Sequence, residues 1–284
     1  MKLEPVLEQA IVNGVKGALE EDIGSGDITA LLVPETNSSA ATIISREKAV
    51  ICGIPWVNEV FRQLDSSIVL DWAVTDGDDI KENQTLCRLQ GNSRHLLTGE
   101  RTALNFLQTL SGTATVAREY AKLVEGTDIR ILDTRKTIPG LRLAQKYAVR
   151  VGGCHNHRMG LYDAFLIKEN HIAASGGIAK AVANARRIAP GKSVEVEVET
   201  LSEVEQAIAA KADRIMLDNF SSVQTEKAIQ FRNQNEIYPN VEIEVSGNIT
   251  VDGIAKLQDI IADFISTGAI TKHCKAVDYS MRFQ

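Results

Sequence analysis

Polar and apolar positions along the chain fall into two regimes. From residue 1 to about 112 the elements are mixed. An amphipathic stretch over Pro5–Glu20 reads as a helix, and short apolar runs at Ala41–Ile44 and Val50–Cys52 read as strands. A helical pattern follows at Pro55–Leu64, then strand-like runs at Ile68–Val74 and Leu86–Leu89, with turn signals at Asp76–Gly77–Asp78 and Gly91–Asn92. From Thr113 the rhythm becomes strand, helix, strand, helix. Six short apolar runs end in polar residues: Ile129–Asp133, Ala164–Lys168, Val194–Glu199, Arg214–Asp218, Val241–Ser246 and Asp263–Thr267. Stretches of helical composition such as Glu203–Ala210 and Thr225–Arg232 separate them. Repeated strand–helix units imply a parallel sheet, and so many in succession favour a barrel over an open sheet. The polar strand ends then share one rim, where barrel enzymes keep their chemistry.

Composition narrows the function classes. With 284 residues, 44% of them hydrophobic, the chain can bury a large core. Its 31 basic residues against 37 acidic ones give a net charge of −6, which argues against general nucleic-acid binding. The four cysteines are far apart and form no Cys-x-x-Cys pair, so reduced thiols are expected rather than a zinc or disulfide framework. The start, MKLEPVLEQA, has glutamates and a proline where a signal peptide needs an apolar core, and no run of 18 apolar residues exists. A cytoplasmic enzyme with no membrane segment is the expectation.

Charge is not spread evenly. Between Asp133 and His171 lie seven cations and only three acids, a segment of +4 in an acidic protein. So dense a single-sign cluster repels itself and usually meets something anionic. Arg135 and Lys136 emerge together from a strand end, suited to carboxylate or phosphate. Arg142, Lys146 and Arg150 form one stripe at i, i+4 and i+8, best read as a solvated helix face. His157 and Arg158 follow Gly152–Gly153. His155 and His157 could instead ligate a metal, but no third ligand is evident. Lys168 closes AFLIK, where a Schiff-base aldolase would also place its lysine.

The acids come next. In Val194–Glu199 the valines share one strand face, and Glu195, Glu197 and Glu199 share the other. Three carboxylates in a row are costly unless cations or a metal compensate. Asp218 ends its strand in the same manner, and Glu197 with Asp218 could hold Mg²⁺. Small residues at Ser246–Gly247–Asn248 and Ser266–Thr267–Gly268–Ala269 end the last two strands, the usual phosphate position in a barrel. The rim therefore suits a sugar bearing a phosphate and a pyrophosphate, together with an acidic co-substrate.

Nine motifs in order match one family: EDIGSGDIT, GERTALNFLQTLSGTAT, DTRKTIPGLR, KYAVRVGGCHNHRMGL, LIKENH, VEVEVET, MLDN, VSGNI and STGAIT. Essentially end to end, the chain resembles the carboxylating nicotinate-nucleotide pyrophosphorylases, that is, quinolinate phosphoribosyltransferases. Cys154 departs from the family's glycine run, and a small residue there should keep the turn. The resemblance implies an α/β protein, with an N-terminal α/β sandwich over residues 1–112 and an incomplete, seven-stranded α/β barrel over 113–270. A tail, 271–284, would return to the first domain. The implied reaction joins quinolinate and phosphoribosyl pyrophosphate to give nicotinate mononucleotide, pyrophosphate and CO₂, with Mg²⁺.

By the same resemblance, Arg135, His157 and Arg158 bind quinolinate's carboxylates, and Arg101 reaches the site from the partner in a homodimer. Lys136 and Lys168 meet the phosphoribosyl pyrophosphate, and Glu197 and Asp218 meet its ribose hydroxyls and Mg²⁺. These four form the catalytic set. Ser246, Gly247 and Gly268 hold the 5′-phosphate, with Asn248, Thr267 and Ala269 beside them in the substrate-binding set. Open alternatives are a Schiff-base lyase using Lys168, a sister phosphoribosyltransferase for another aromatic acid, and a non-catalytic binding protein.

Overall fold

The structure, a computed structural model, describes residues 3–234, 240–247 and 262–283. The chain divides into two compact units. One comprises Met1–Glu119, Thr137–Gly153 and Ile270–Gln284; the other comprises Tyr120–Lys136 and Cys154–Ala269.

In the first unit, α1 (Pro5–Ile23) starts with proline in its first turn and buries Leu7, Ile11, Val15 and Leu19, one face at a spacing of four. The strands are β1 (Ser38–Ser45), β2 (Ala49–Val50), β3 (Val69–Trp72), β4 (Asp79–Ile80) and β5 (Thr85–Asn92), with α2 (Ile54–Leu64) between β2 and β3. The 31-residue α3 (Ser93–Leu123) follows β5, and α4 (Arg142–Val151) belongs to this unit too. An antiparallel sheet runs in the order β12–β1–β5–β3, where β12 is Tyr279–Phe283. The C-terminal strand thus lies beside β1, with Ala41 opposite Phe283. Ile43, Phe61, Leu86, Leu89, Leu104 and Leu107 are among the side chains sealed in this core.

The stripe expected to be a solvated face of α4 is not uniform. Lys146 is fully buried, whereas Arg150 is exposed with its guanidinium 3.9 Å from Glu4. At the end of α4, Gly152 packs against α3 so closely that a Cβ would fall 2.5 Å from the Ala114 carbonyl and 2.5 Å from the Ala117 Cβ. Arg118 closes the contact, its Nε donating to the Gly152 carbonyl at 3.0 Å.

The second unit is built on a six-stranded sheet, all parallel, in the order β6–β11–β10–β9–β8–β7. Its strands are β6 (Arg130–Leu132), β7 (Phe165–Ile167), β8 (Val194–Val198), β9 (Arg214–Asp218), β10 (Glu242–Ser246) and β11 (Phe264–Ser266). A parallel bridge from Leu132 to His155 extends it by one more chain crossing. The fold class is mixed α/β, an antiparallel sheet with helices in one unit and an incomplete barrel sheet in the other.

Alternation explains both faces. Val194, Val196, Val198, Ile215, Leu217, Ile243 and Val245 are buried on one. The helices α5 (Glu169–Ser175), α6 (Ile178–Ile188), α7 (Leu201–Ala209) and α8 (Ser222–Asn233) follow the strands, with α6 lying over β7 and β8 and α7 over β8 and β9. Thr200–Glu203 and Ser221–Gln224 form capping boxes that turn β8 into α7 and β9 into α8. A short α9 (Ala269–Lys272) follows β11.

The opposite face is charged. Glu195 on β8 and Glu244 on β10 are buried, at 5% and 0% exposure, and Arg214 on β9 lies between them. Arg214 is 3.4 Å from Glu244 and 2.8 Å from Glu242, and its guanidinium sits 3.8 Å from the centre of the Phe264 ring. Burial pushes both Glu195 and Glu244 above the usual carboxylate range; Glu195 raises Glu244 further, to about 8.

Two outcomes follow from this packing. Gly152→Ala should lower stability by about 1–3 kcal/mol, because backbone and a Cβ rather than a flexible tip must move; unchanged denaturant midpoints would contradict it. A carboxyl whose folded pKa lies above its unfolded value adds stability at low pH and loses it as pH rises. Between the ordinary 4.5 and about 8, wild type should therefore lose ground steadily to Glu244→Gln. Parallel stability–pH curves for the two proteins would refute the buried-proton account.

Candidate active site

All the cavity's walls come from the second unit, at the C-terminal ends of the parallel strands. The volume is about 530 Å³, and Arg135, Lys136, Arg158 and Lys168 supply its cations. Glu197 and Asp218 face it from β8 and β9, Ser246 from the end of β10, and Gly247 and Gly268 from beyond β10 and β11. His157 also lines it. Ten of the residues expected to bind substrate or metal thus meet at one site.

Local chemistry sets each position. Past β6, the fully buried Asp133 accepts the His157 N–H at 2.9 Å and the Asn156 side-chain amide at 2.6 Å. It thereby fastens the 155–158 segment to the strand end rather than serving only its neighbouring cations. Thr134 Oγ1 accepts the Lys136 N–H at 3.0 Å and shapes the turn that presents Arg135 and Lys136. Arg135 Nε is buried with no hydrogen-bond partner among the described residues. A buried donor left so is costly, and an anionic ligand in the cavity would satisfy it.

His155 is exposed and His157 buried, so the two point apart, as alternation in an extended segment requires. The ring of His157 accepts the Arg158 N–H on Nδ1 at 2.8 Å. Its Nε2 lies 2.9 Å from Glu195 Oε2 and 3.6 Å from Glu244 Oε2, off the line of an ideal hydrogen bond. Among the described residues, His157, Glu195 and Glu244 are the group spaced closely enough for a metal. With Nδ1 accepting a backbone N–H, however, the ring proton sits on Nε2, facing the acids. A metal at Nε2 would displace that proton to Nδ1 and break the Arg158 bond.

Arg158 donates to the Ala164 carbonyl at 3.2 Å, and its pKa is lowered, first by burial and then by Arg135 beside it. Two guanidiniums held together against their repulsion are a carboxylate site waiting for charge. Lys168 Nζ is 2.5 Å from Glu197 Oε2. An ion-paired ammonium is the opposite of the unpaired amine that Schiff-base chemistry requires. The Lys168 N–H is held by His171 Nδ1 at 3.0 Å, which fixes the strand-to-helix turn. The costly acids of β8 are thus resolved separately. Lys168 meets Glu197, Arg214 and a raised pKa meet Glu195, and Glu199 is exposed.

Gly247 has φ 129°, a conformation L side chains rarely adopt, and a Cβ there would fall 2.5 Å from Asn219 Oδ1. The Asn219 N–H donates to the Ser246 carbonyl at 3.1 Å and its side-chain amide to Asp218 at 3.0 Å. Ser266 donates to Ser246 at 3.1 Å. A Cβ on Gly268 would come 2.8 Å from the Lys136 chain. Bare backbone on both turns leaves room for a bulky anion.

Other expected residues stand differently. Thr267 is buried, its N–H bound to the Leu132 carbonyl at 3.0 Å and its hydroxyl accepting the Ala269 N–H at 3.2 Å. Those two shape the turn and do not line the cavity. Arg101 is exposed on α3 of the first unit, and Asn248 lies outside the described residues. Ser266, read among the small residues that end the last strand, lines the cavity, and Thr134, Leu166, Met216 and Asn219 line it without having been singled out. The signal was there for two of them: Leu166 and Met216 each sit two residues before an expected site residue, on the same strand face.

The family model described as the N-terminal domain of quinolinate phosphoribosyl transferase matches residues 27–111, and that for the C-terminal domain matches 113–282. A nicotinate-nucleotide pyrophosphorylase [carboxylating] of Mycobacterium leprae is 40% identical over 273 residues, covering 94% of this chain and 95% of that protein. The quinolinate phosphoribosyltransferase [decarboxylating] 1 of Nicotiana glauca is 36% identical over 281 residues, covering 93% and 80%. The solved nicotinate-nucleotide pyrophosphorylase of Francisella tularensis superposes with a TM-score of 0.93 at 49% identity, covering 100% of this chain and 98% of that one. With both domain models matched in order and relatives aligned along nearly its whole length, this chain belongs to the quinolinate phosphoribosyltransferase family.

Proposed function

We propose that the chain transfers phosphoribosyl from phosphoribosyl pyrophosphate to the ring nitrogen of quinolinate with decarboxylation, releasing nicotinate mononucleotide, pyrophosphate and CO₂ for NAD biosynthesis. The relatives named for this reaction support it. What supports its location is the meeting of four cations, two acids and two glycine turns in one cavity, with a buried Arg135 donor awaiting an acceptor.

Both substrates are multiply anionic, and the cations answer them. Arg135 and Arg158 hold quinolinate, with His157 behind them, and Lys136 and Lys168 meet the pyrophosphate. Ser246, Gly247 and Gly268 hold the 5′-phosphate. Departure of pyrophosphate leaves positive charge on the ribose ring, which Glu197 and Asp218 stabilise from their strand ends. When the pyrophosphate draws Lys168 towards itself, Glu197 is released from its ion pair to face the sugar. The pyridine nitrogen bonds to the anomeric carbon as the C–O bond to pyrophosphate breaks. The resulting pyridinium stabilises the electron pair left on the ring carbon when the adjacent carboxylate departs as CO₂, and a proton then bonds to that carbon. Positioning supplies most of the acceleration.

Glu197 and Asp218, on neighbouring strands and facing one cavity, fit Mg²⁺, which takes oxygen ligands and completes its shell with phosphates and water. Bound there, it would neutralise charge on the leaving pyrophosphate. A homodimer with Arg101 reaching the partner's site completes the proposal. The exposed Ile28, Leu31 and Leu32, at 81%, 64% and 84%, support a surface covered in an assembly.

Quinolinate's ultraviolet absorbance should fall only when phosphoribosyl pyrophosphate and Mg²⁺ are both present; no turnover from folded protein would overturn the reaction. Lys168→Ala should cost on the order of 100-fold in kcat, and a near-normal kcat would remove Lys168 from the chemistry. Cations clamping the departing carboxylate would oppose its loss, so Arg158 should grip the retained one. Nicotinate, which has only that group, should bind Arg158→Ala more weakly than wild type, and equal affinities would sink the assignment. Finally, mixing inactive Arg101→Ala and Lys168→Ala proteins should restore roughly a quarter of the activity, because half the dimers are mixed and each holds one intact site. No recovery on subunit exchange would place Arg101 elsewhere.

A further inference from the structure

Beneath the cavity floor lie side chains that the proposed reaction does not use. Glu195, Arg214 and Glu244 sit on three adjacent strands, all on the inner face, with Glu195 directly opposite Arg214 in the register. On the other face of the same strands the buried positions are valine, isoleucine and leucine. Were packing the only requirement, apolar residues would serve the inner positions at lower cost, since a buried ion pair is often no more stable than its apolar replacement. Two buried acids and a half-buried arginine occupy that face instead.

What they touch is His157. Its backbone is anchored by Asp133 at 2.9 Å, and its ring faces Glu195 at 2.9 Å and Glu244 at 3.6 Å. The other ring nitrogen holds the N–H of Arg158. A chain of contacts therefore runs from the buried acids through the imidazole to the backbone of the arginine that enters the cavity. Glu195 also favours the charge on Arg158, against the repulsion of Arg135.

We infer that Glu195 and Glu244 are positioning residues: they fix the His157 ring and through it set Arg158 for the aromatic acid, with Arg214 as their counter-charge. The inference rests on the proposed reaction and deepens it. It assigns discrimination of the acid, not of the phosphoribosyl donor, to side chains that never touch either substrate. Reorienting a bound carboxylate's clamp by a fraction of an ångström is felt as affinity for that substrate.

The test is a set of variants assayed with quinolinate and phosphoribosyl pyrophosphate, each with a thermal melt. Glu195→Met keeps the length and loses the acceptor; it should raise KM for quinolinate by about tenfold, the effect typical of losing such a supporting contact. Its kcat and its KM for phosphoribosyl pyrophosphate should stay within about twofold of wild type on the same scale. Glu195→Gln, which keeps an oxygen facing His157, should recover most of the affinity. In a His157→Asn background, Glu195→Met should add no further penalty, because its effect passes through the ring. Equal changes in both KM values, a loss confined to kcat or to melting temperature, or additive penalties would each overturn the inference. Should Glu195→Met not fold, Glu244→Met carries the same comparison: a selective rise in quinolinate KM supports the inference, and an unselective rise or no rise ends it. Turnover by wild type in the same assay separates failure of this inference from failure of the reaction.

Discussion

Burying a carboxylate inside a parallel sheet costs several kcal/mol unless a cation, a proton or a hydrogen-bond donor meets it. The inner face of this barrel sheet carries such groups on adjacent strands, and much of the unit's design is a response to them. Near the rim, Glu197 is answered by Lys168 from β7's end, at the cavity wall. Deeper in, Glu195 and Glu244 are answered by Arg214 and by raised pKa values. The shallow pair lines the cavity. The deep set is closed and holds geometry.

The cationic side follows the same division. Arg135 keeps a buried donor without a partner, Arg158 is held beside it, and Lys136 stands exposed at the mouth. Assembling these charges before any ligand arrives costs folding energy. That cost is returned when two polyanions bind, and it explains why little covalent work is asked of the protein. In the proposed reaction, orientation leaves the pyridine nitrogen as nucleophile and the pyridinium charge to stabilise the carbanion.

Much of this could be read from the residues. Strand ends at Asp133, Lys168, Glu199, Asp218 and Ser246 came from apolar runs stopping in polar residues, because covered parallel strands read as near-continuous apolar runs that break off at the rim. The long α3 was harder. Its sequence GERTALNFLQTLSGTAT is rich in glycine and threonine, weak helix formers, and the change of rhythm at Thr113 falls inside it. Those glycines serve close approach: Gly99 lies against the Phe61 ring and Gly112 against the Lys275 carbonyl. Packing overrode propensity. The burial of Lys146 and the grouping of α4 with the first unit were likewise invisible, since a stripe of cations reads as solvent-facing until tertiary contacts are known. Spacing alone could suggest His157 as a ligand. Only geometry shows both its ring nitrogens turned to the protein, one to the Arg158 N–H and one to the acids.

In the proposed reaction the protein supplies charge and position while the substrate's own ring drives decarboxylation. A single-turnover experiment with quinolinate labelled in the carboxylate next to nitrogen tests it most directly, by timing labelled CO₂ against pyrophosphate. One CO₂ per pyrophosphate is expected, appearing with it or after it and never in its absence. Labelled CO₂ released before pyrophosphate, or from quinolinate without phosphoribosyl pyrophosphate, would mean that side chains of the cavity decarboxylate the acid directly, and the account would fail.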